Sequence, residues 1–126
     1  MSARVVIADD DADIRGLVTI AARKAGLDVL ASVSDGDAAL EAIRDRLPDL
    51  AILDVAMPGL TGVEICRIVR ADVTLASVRI LLVSASADEA SVRAGLESGA
   101  ADYLSKPFSP RDLTARLSAQ FPEGSE

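Results

Sequence analysis

Five short apolar runs, each separated from the next by a stretch with helical spacing, constrain this chain more than any other feature. The runs are RVVIA (4–8), LDVLASV (27–33), DLAILD (49–54), VRILLVSA (78–85) and DYLS (102–105). Three are apolar nearly throughout, as in strands covered on both faces of a parallel sheet. Strands alternating with helices at short connections predict an α/β fold: an open, doubly wound parallel sheet of five strands with five helices on its two faces. Ligands in such sheets bind beyond the carboxyl ends of the strands, so chemistry is to be sought where the strands stop.

The intervening segments support this reading. The first helix carries Ile14, Leu17, Val18, Ala21, Ala22 and Ala25 at i, i+3, i+4 spacing, which predicts one buried face, with Gly26 as its stop. The second spans roughly 36–47 and ends before Pro48; the third runs from about Gly62 to Ala71 with Val63, Cys66 and Val69 on one face. The fourth, near 88–98, is expected to point Val92 and Leu96 inward, with Gly99 behind it. The fifth starts at Ser109 with Pro110 as first helical residue and buries Leu113 and Leu117. Gly16 interrupts the first helix at some cost in stability, for which the close approach of a partner helix is one reason and chance another.

Composition narrows the function. The chain has 126 residues, suiting one domain over 1–121, with PEGSE (122–126) expected to be a disordered tail or the start of a linker. Hydrophobic residues make up 50% and aromatics 2%, so the core must be built from Ala, Val, Ile and Leu. A formal charge of −7 argues against this domain gripping nucleic acid by its own surface. The chain has no histidine, which excludes a histidine-based triad or metal site, and its lone Cys66 forbids an internal disulfide. With no membrane-length apolar run and no signal-like N-terminus, a cytoplasmic location is expected.

Four of the five strand ends carry reactive groups. The first ends at Asp9 and Asp10, the third at Asp54, the fourth at Ser84 and the fifth at Lys106. Asp11 is explained as a helix N-cap and Asp13 by the helix dipole, but Asp9 and Asp10 precede the cap. Three carboxylates gathered at one edge repel one another, and suit a hard divalent cation such as Mg²⁺. Asp54 could then act as a carboxylate nucleophile forming an aspartyl phosphate. Lys106 offers a point charge to a phosphoryl oxygen, and Ser84 a hydroxyl. The blander alternatives are a solvated acidic edge, an ordinary surface lysine and a serine capping local backbone.

VVIADDDADIR, LAILDVAMPGLTGVE, ILLVSAS and GAADYLSKPFSPRDL, in that order along residues 4–120, resemble the receiver domain of two-component response regulators. That resemblance implies the flavodoxin-like strand order 2-1-3-4-5. It implies Asp54 as phosphoacceptor, charged from a histidine of a kinase or phosphotransfer protein. Mg²⁺ is then held by Asp9, Asp10, Asp54 and the backbone carbonyl of Ala56. Lys106 contacts the phosphoryl group, with a cis Lys106–Pro107 bond, and Ser84 and Tyr103 form a switch acting on the face of helix four, strand five and helix five. The alternative for Tyr103 is a packing aromatic at a strand edge. The resemblance also allows a homodimer through helices four and five.

Ser84 stands where threonine is commoner in the family, and Ala56 and Ser86 are small at positions that influence an attacking water. Ala56 also argues against a haloacid-dehalogenase-type enzyme, which needs an acid two residues beyond its nucleophile. Three aspartates after the first strand would repel a flavin phosphate, and no GxxxxGK[ST] loop exists for nucleotide hydrolysis. The remaining rival is a receiver-like module that binds its partner without phosphorylation. The sequence suits both a stand-alone regulator and the receiver of a longer protein.

Overall fold

The computed structural model describes residues 2–121; the expected tail at 122–126 lies outside the described residues. The strands are β1 (Arg4–Ala8), β2 (Asp28–Val33), β3 (Leu50–Asp54), β4 (Arg79–Ser84) and β5 (Asp102–Ser105). They form one parallel sheet in the order β2-β1-β3-β4-β5. The helices are α1 (Ala12–Lys24), α2 (Gly36–Arg46), α3 (Gly62–Ala71), α4 (Glu89–Glu97) and α5 (Pro110–Gln120), with a short 3-10 turn at Val73–Leu75. This is the expected doubly wound, flavodoxin-like architecture, with element ends differing by a residue or two from those read in the sequence.

Alternate strand residues serve opposite faces, which divides the core in two. Val6, Ala8, Ala51, Leu53, Ile80 and Leu82 pack with α2 and α3 residues such as Ile43, Ile65 and Val69. Val5, Ile7, Ile52, Leu81 and Val83 pack with Val18, Ala21 and Ala22 of α1 and with Leu113 and Leu117 of α5. The double coverage explains why the central strands read as unbroken apolar runs.

Helix ends follow local chemistry. Asp11, Asp35, Thr61, Asp88 and Ser109 accept N-terminal amide hydrogens of α1 to α5 in turn, and Thr61 with Glu64 completes a capping box. Leu47 closes α2 in the left-handed region at φ 48°, and Pro48 behind it cannot continue the helix.

Two expected core residues lie outside. Leu17 is 42% exposed and Leu96 is 44% exposed. On α1 the contact stripe is centred on Val18, Ala21 and Ala22, whose small side chains bring the helix close to the sheet and leave Leu17 to one side. On α4, Gly95 is buried and Val92 partly so, making an inward stripe too narrow to include Leu96. Among the described residues no helix is long and apolar enough to cross a membrane.

Candidate functional site

Strand order brings the ends of β1, β3, β4 and β5 side by side. Asp9 follows β1 directly, and its backbone is held from two sides. Its N–H donates to the Val33 carbonyl at 3.1 Å, and Arg15 donates to the Asp9 carbonyl at 2.8 Å. Asp9 Oδ1 accepts the Asp11 amide at 2.9 Å, which leaves Oδ2 for other partners. Asp54 is the last residue of β3, and its Oδ1 accepts the Ala56 amide at 3.3 Å. At 2% and 4% exposed, Asp9 and Asp54 are both buried, whereas Asp10 sits on the exposed rim.

Lys106 answers both buried carboxylates. Its Nζ lies 3.1 Å from Asp9 Oδ2 and 3.2 Å from Asp54 Oδ2. The Lys106 amide donates to the Ser84 carbonyl at 2.7 Å, which ties the lysine to the end of β4, and the Lys106–Pro107 peptide is cis. One ammonium thus faces two buried carboxylates, with a third beside them. Burial, and then the charge of Asp9, push the Asp54 carboxyl up to about 6 despite the attraction of Lys106. Burial pulls the Lys106 ammonium down, but the hydrogen bonds and charges of Asp9 and Asp54 outweigh it and leave its pKa raised.

The remaining candidates lie alongside. Ser84 is buried at the end of β4, and its Oγ accepts the Ser86 amide at 3.0 Å. Tyr103 on β5 is buried, and its hydroxyl donates to the Ser86 carbonyl at 2.7 Å. Reading the sequence missed that carbonyl, and the contact of Arg15 with the Asp9 carbonyl. Both use backbone oxygens, which leave no signature in side-chain pattern.

The donor set fits a hard divalent cation. One carboxylate oxygen from each of Asp9, Asp10 and Asp54 lies within 4.8 Å of the others, and oxygen ligands with surplus negative charge suit Mg²⁺. Among the described residues every buried side-chain nitrogen and oxygen has a hydrogen-bond partner, so the site's tension is one of charge rather than of orphaned donors.

The family model described as the response regulator receiver domain matches residues 5–118. The chain belongs to that family. Among curated relatives, the receiver domain is 43% identical over 120 residues to the DNA-binding response regulator MtrA of Mycobacterium leprae, covering 95% of this chain and 52% of that protein. It is 40% identical over 115 residues to the phosphate regulon transcriptional regulatory protein PhoB of Pseudomonas aeruginosa, covering 91% and 50%. The chain therefore spans about half the length of the curated relatives it matches. Among solved structures it superposes on the chemotaxis response regulator CheY4 of Vibrio cholerae with a TM-score of 0.86 at 31% identity, covering 95% and 99% of the two chains. The receiver domain of the Francisella response regulator 1452 matches with a TM-score of 0.85 at 30% identity, covering 94% and 96%.

Proposed function

We propose that this receiver domain is a phosphoryl switch whose acceptor is Asp54. The observation that carries the reading is the Asp54 carboxylate itself, buried at a strand end, 3.2 Å from Lys106 and crowded by Asp9. A carboxyl oxygen of Asp54 attacks the phosphorus of a phosphohistidine on a partner kinase or phosphotransfer protein. The new O–P bond forms as the P–N bond breaks, and the imidazole leaves with the electron pair. Asp9, Asp10, Asp54 and the Ala56 carbonyl hold Mg²⁺, which when bound supplies positive charge against the phosphoryl oxygens. Lys106 supplies a second positive charge, so transfer relies on positioning and neutralisation rather than on a separate acid or base.

The product offers new acceptor oxygens at the end of β3. The Ser84 hydroxyl turns toward them, and the ring of Tyr103 adjusts with it. The face built from α4, β5 and α5 carries the change outward, biasing an equilibrium between two arrangements. Partner choice then follows from that face, including a second copy of the chain through α4 and α5. The domain is regulatory and cytoplasmic, promotes its own phosphoryl transfer and loss, and with a net charge of −7 does not itself hold nucleic acid.

Intact mass after incubation with a small-molecule phosphodonor tests this. A gain of one phosphoryl group that requires Mg²⁺ and is absent from Asp54→Ala is expected. A folded domain that gains nothing under any condition would overturn the reading in favour of phosphorylation-independent binding.

A further inference from the structure

Glycine inside a helix costs about 1 kcal/mol relative to alanine, and two helices of this domain bear that cost. In α1 a Cβ added at Gly16 would meet nothing within 4 Å, so nothing inside the domain asks for glycine there. In α4 the situation is opposite. A Cβ added at Gly95 would lie 2.7 Å from Tyr103 Cδ2, 2.9 Å from Tyr103 Cε2 and 3.2 Å from Leu82 Cδ1. The Tyr103 ring therefore rests directly on the bare backbone of α4.

Three further contacts define this seat. The Tyr103 hydroxyl donates to the Ser86 carbonyl on the loop before α4. The ring lines a cavity of about 150 Å³ together with Val55, Val63, Ser84 and Ser86, so it reaches the neighbourhood of the Ser84 hydroxyl. Ser98 Oγ donates to the Gly95 carbonyl at 2.5 Å, which pins the turn of α4 that the ring touches.

We propose that Gly95 is a positioning residue of the switch: the space left by its missing side chain seats Tyr103 inward before any phosphoryl group reaches Asp54. The proposal rests on the phosphoryl-switch reading and adds that part of the switch's bias is written into α4. With alanine at 95, either the ring or the helix must move. The ring is free to swing about its own side-chain bonds, whereas the helix turn is tied by Ser98 and abuts Leu82. The ring yields, its bond to Ser86 breaks, and the unphosphorylated chain rests with Tyr103 turned out. Phosphorylation must then supply what the seat supplied before.

Tyr103 is the only tyrosine and the chain has no tryptophan, so intrinsic emission reports this one ring. The experiment is acrylamide quenching of that emission in the unphosphorylated wild type, Gly95→Ala and Gly16→Ala. A quenching constant severalfold higher in Gly95→Ala, with Gly16→Ala matching wild type, is expected; equal constants in all three overturn the proposal. Phosphodonor with Mg²⁺ should still add one phosphoryl group to Gly95→Ala. If neither wild type nor variant gains mass, the phosphoryl-switch reading fails while the quenching result still judges the seat. Should Gly95→Ala unfold, urea midpoints of Gly95→Ala, Tyr103→Ala and the double variant decide. A double variant more stable than Gly95→Ala supports the seat, and one no more stable overturns it.

Discussion

The two ends of the sheet both carry charge, and they use it differently. At the amino ends of the strands, charged groups complete the backbone. The Arg4 guanidinium donates to the carbonyls of Arg46 and Leu47 at the close of α2, while Asp49 accepts the Arg4 amide at 2.8 Å. Arg79 donates to the Gln120 carbonyl at the close of α5 and stacks over Phe121 at 5.3 Å. At the carboxyl ends, Asp9 and Asp54 are buried and share Lys106, and Asp10 stands beside them. One end finishes helices; the other holds more negative charge than its own cation offsets. A surplus of buried like charge costs stability, and a fold keeps it where chemistry needs it.

The contrast can be broken most forcefully at Lys106. Lys106→Met removes the cation between two buried carboxylates, and should lower stability near neutral pH by about 3 kcal/mol in metal-free buffer. Much of this should return near pH 5, where Asp54 takes up a proton. Urea unfolding at the two pH values checks both parts, and an equal loss at each would count against the charge account.

Asp54 itself should give a slightly smaller effect with a defined pH course. Its folded pKa of about 6 lies above its ordinary value of 3.8, so the folded state favours the protonated acid. The penalty is absent below the unfolded pKa, grows as pH rises between about 4 and 6, and is complete above the folded pKa, at up to about 3 kcal/mol. The stability of Asp54→Asn relative to wild type should therefore climb across that window and then level off. Exposed Glu64 and Asp88 and partly exposed Asp72 have pKa values lowered by hydrogen bonds, to Thr61, Ser91 and Thr74 respectively. Their stabilisation is present above the unfolded pKa and is lost as pH falls through the folded pKa, equally in both proteins, so the difference isolates Asp54.

The smallest effect belongs to the amino end. Arg4→Ala should cost about 1–2 kcal/mol through lost hydrogen bonds to helix carbonyls. The stabilisation by Mg²⁺ should match wild type, as read by thermal unfolding at several Mg²⁺ concentrations. A changed response to Mg²⁺ would blur the division between the two ends.

Much of this was legible in the sequence because periodicity and strand-end chemistry are local signals. RVVIA and DLAILD read as strands from their apolar runs, and the caps Asp11 and Ser109 from their place before helical spacing. The strand order was not legible from periodicity and came from the resemblance. That Leu17 and Leu96 fall outside the core is not legible, because a helical stripe cannot tell how wide a face its neighbour covers, and Gly95, where α4 meets Tyr103 of β5, has no side chain to count. The strand-end positions of Asp9, Asp54 and Lys106 could be read from the runs they close. Their burial and their shared hydrogen bonds depend on which strands lie side by side.

The most direct measurement is the urea midpoint of wild type and Asp54→Asn at pH 7.5, with and without Mg²⁺. Without the ion, Asp54→Asn should be the more stable protein. Mg²⁺ at about a hundred times its Kd should raise wild type by about 2–3 kcal/mol and Asp54→Asn by much less, narrowing or reversing the gap. An Asp54→Asn protein no more stable than wild type without Mg²⁺, with both responding equally to the ion, would contradict the claim that this end of the sheet holds its carboxylates for a cation and a phosphoryl group.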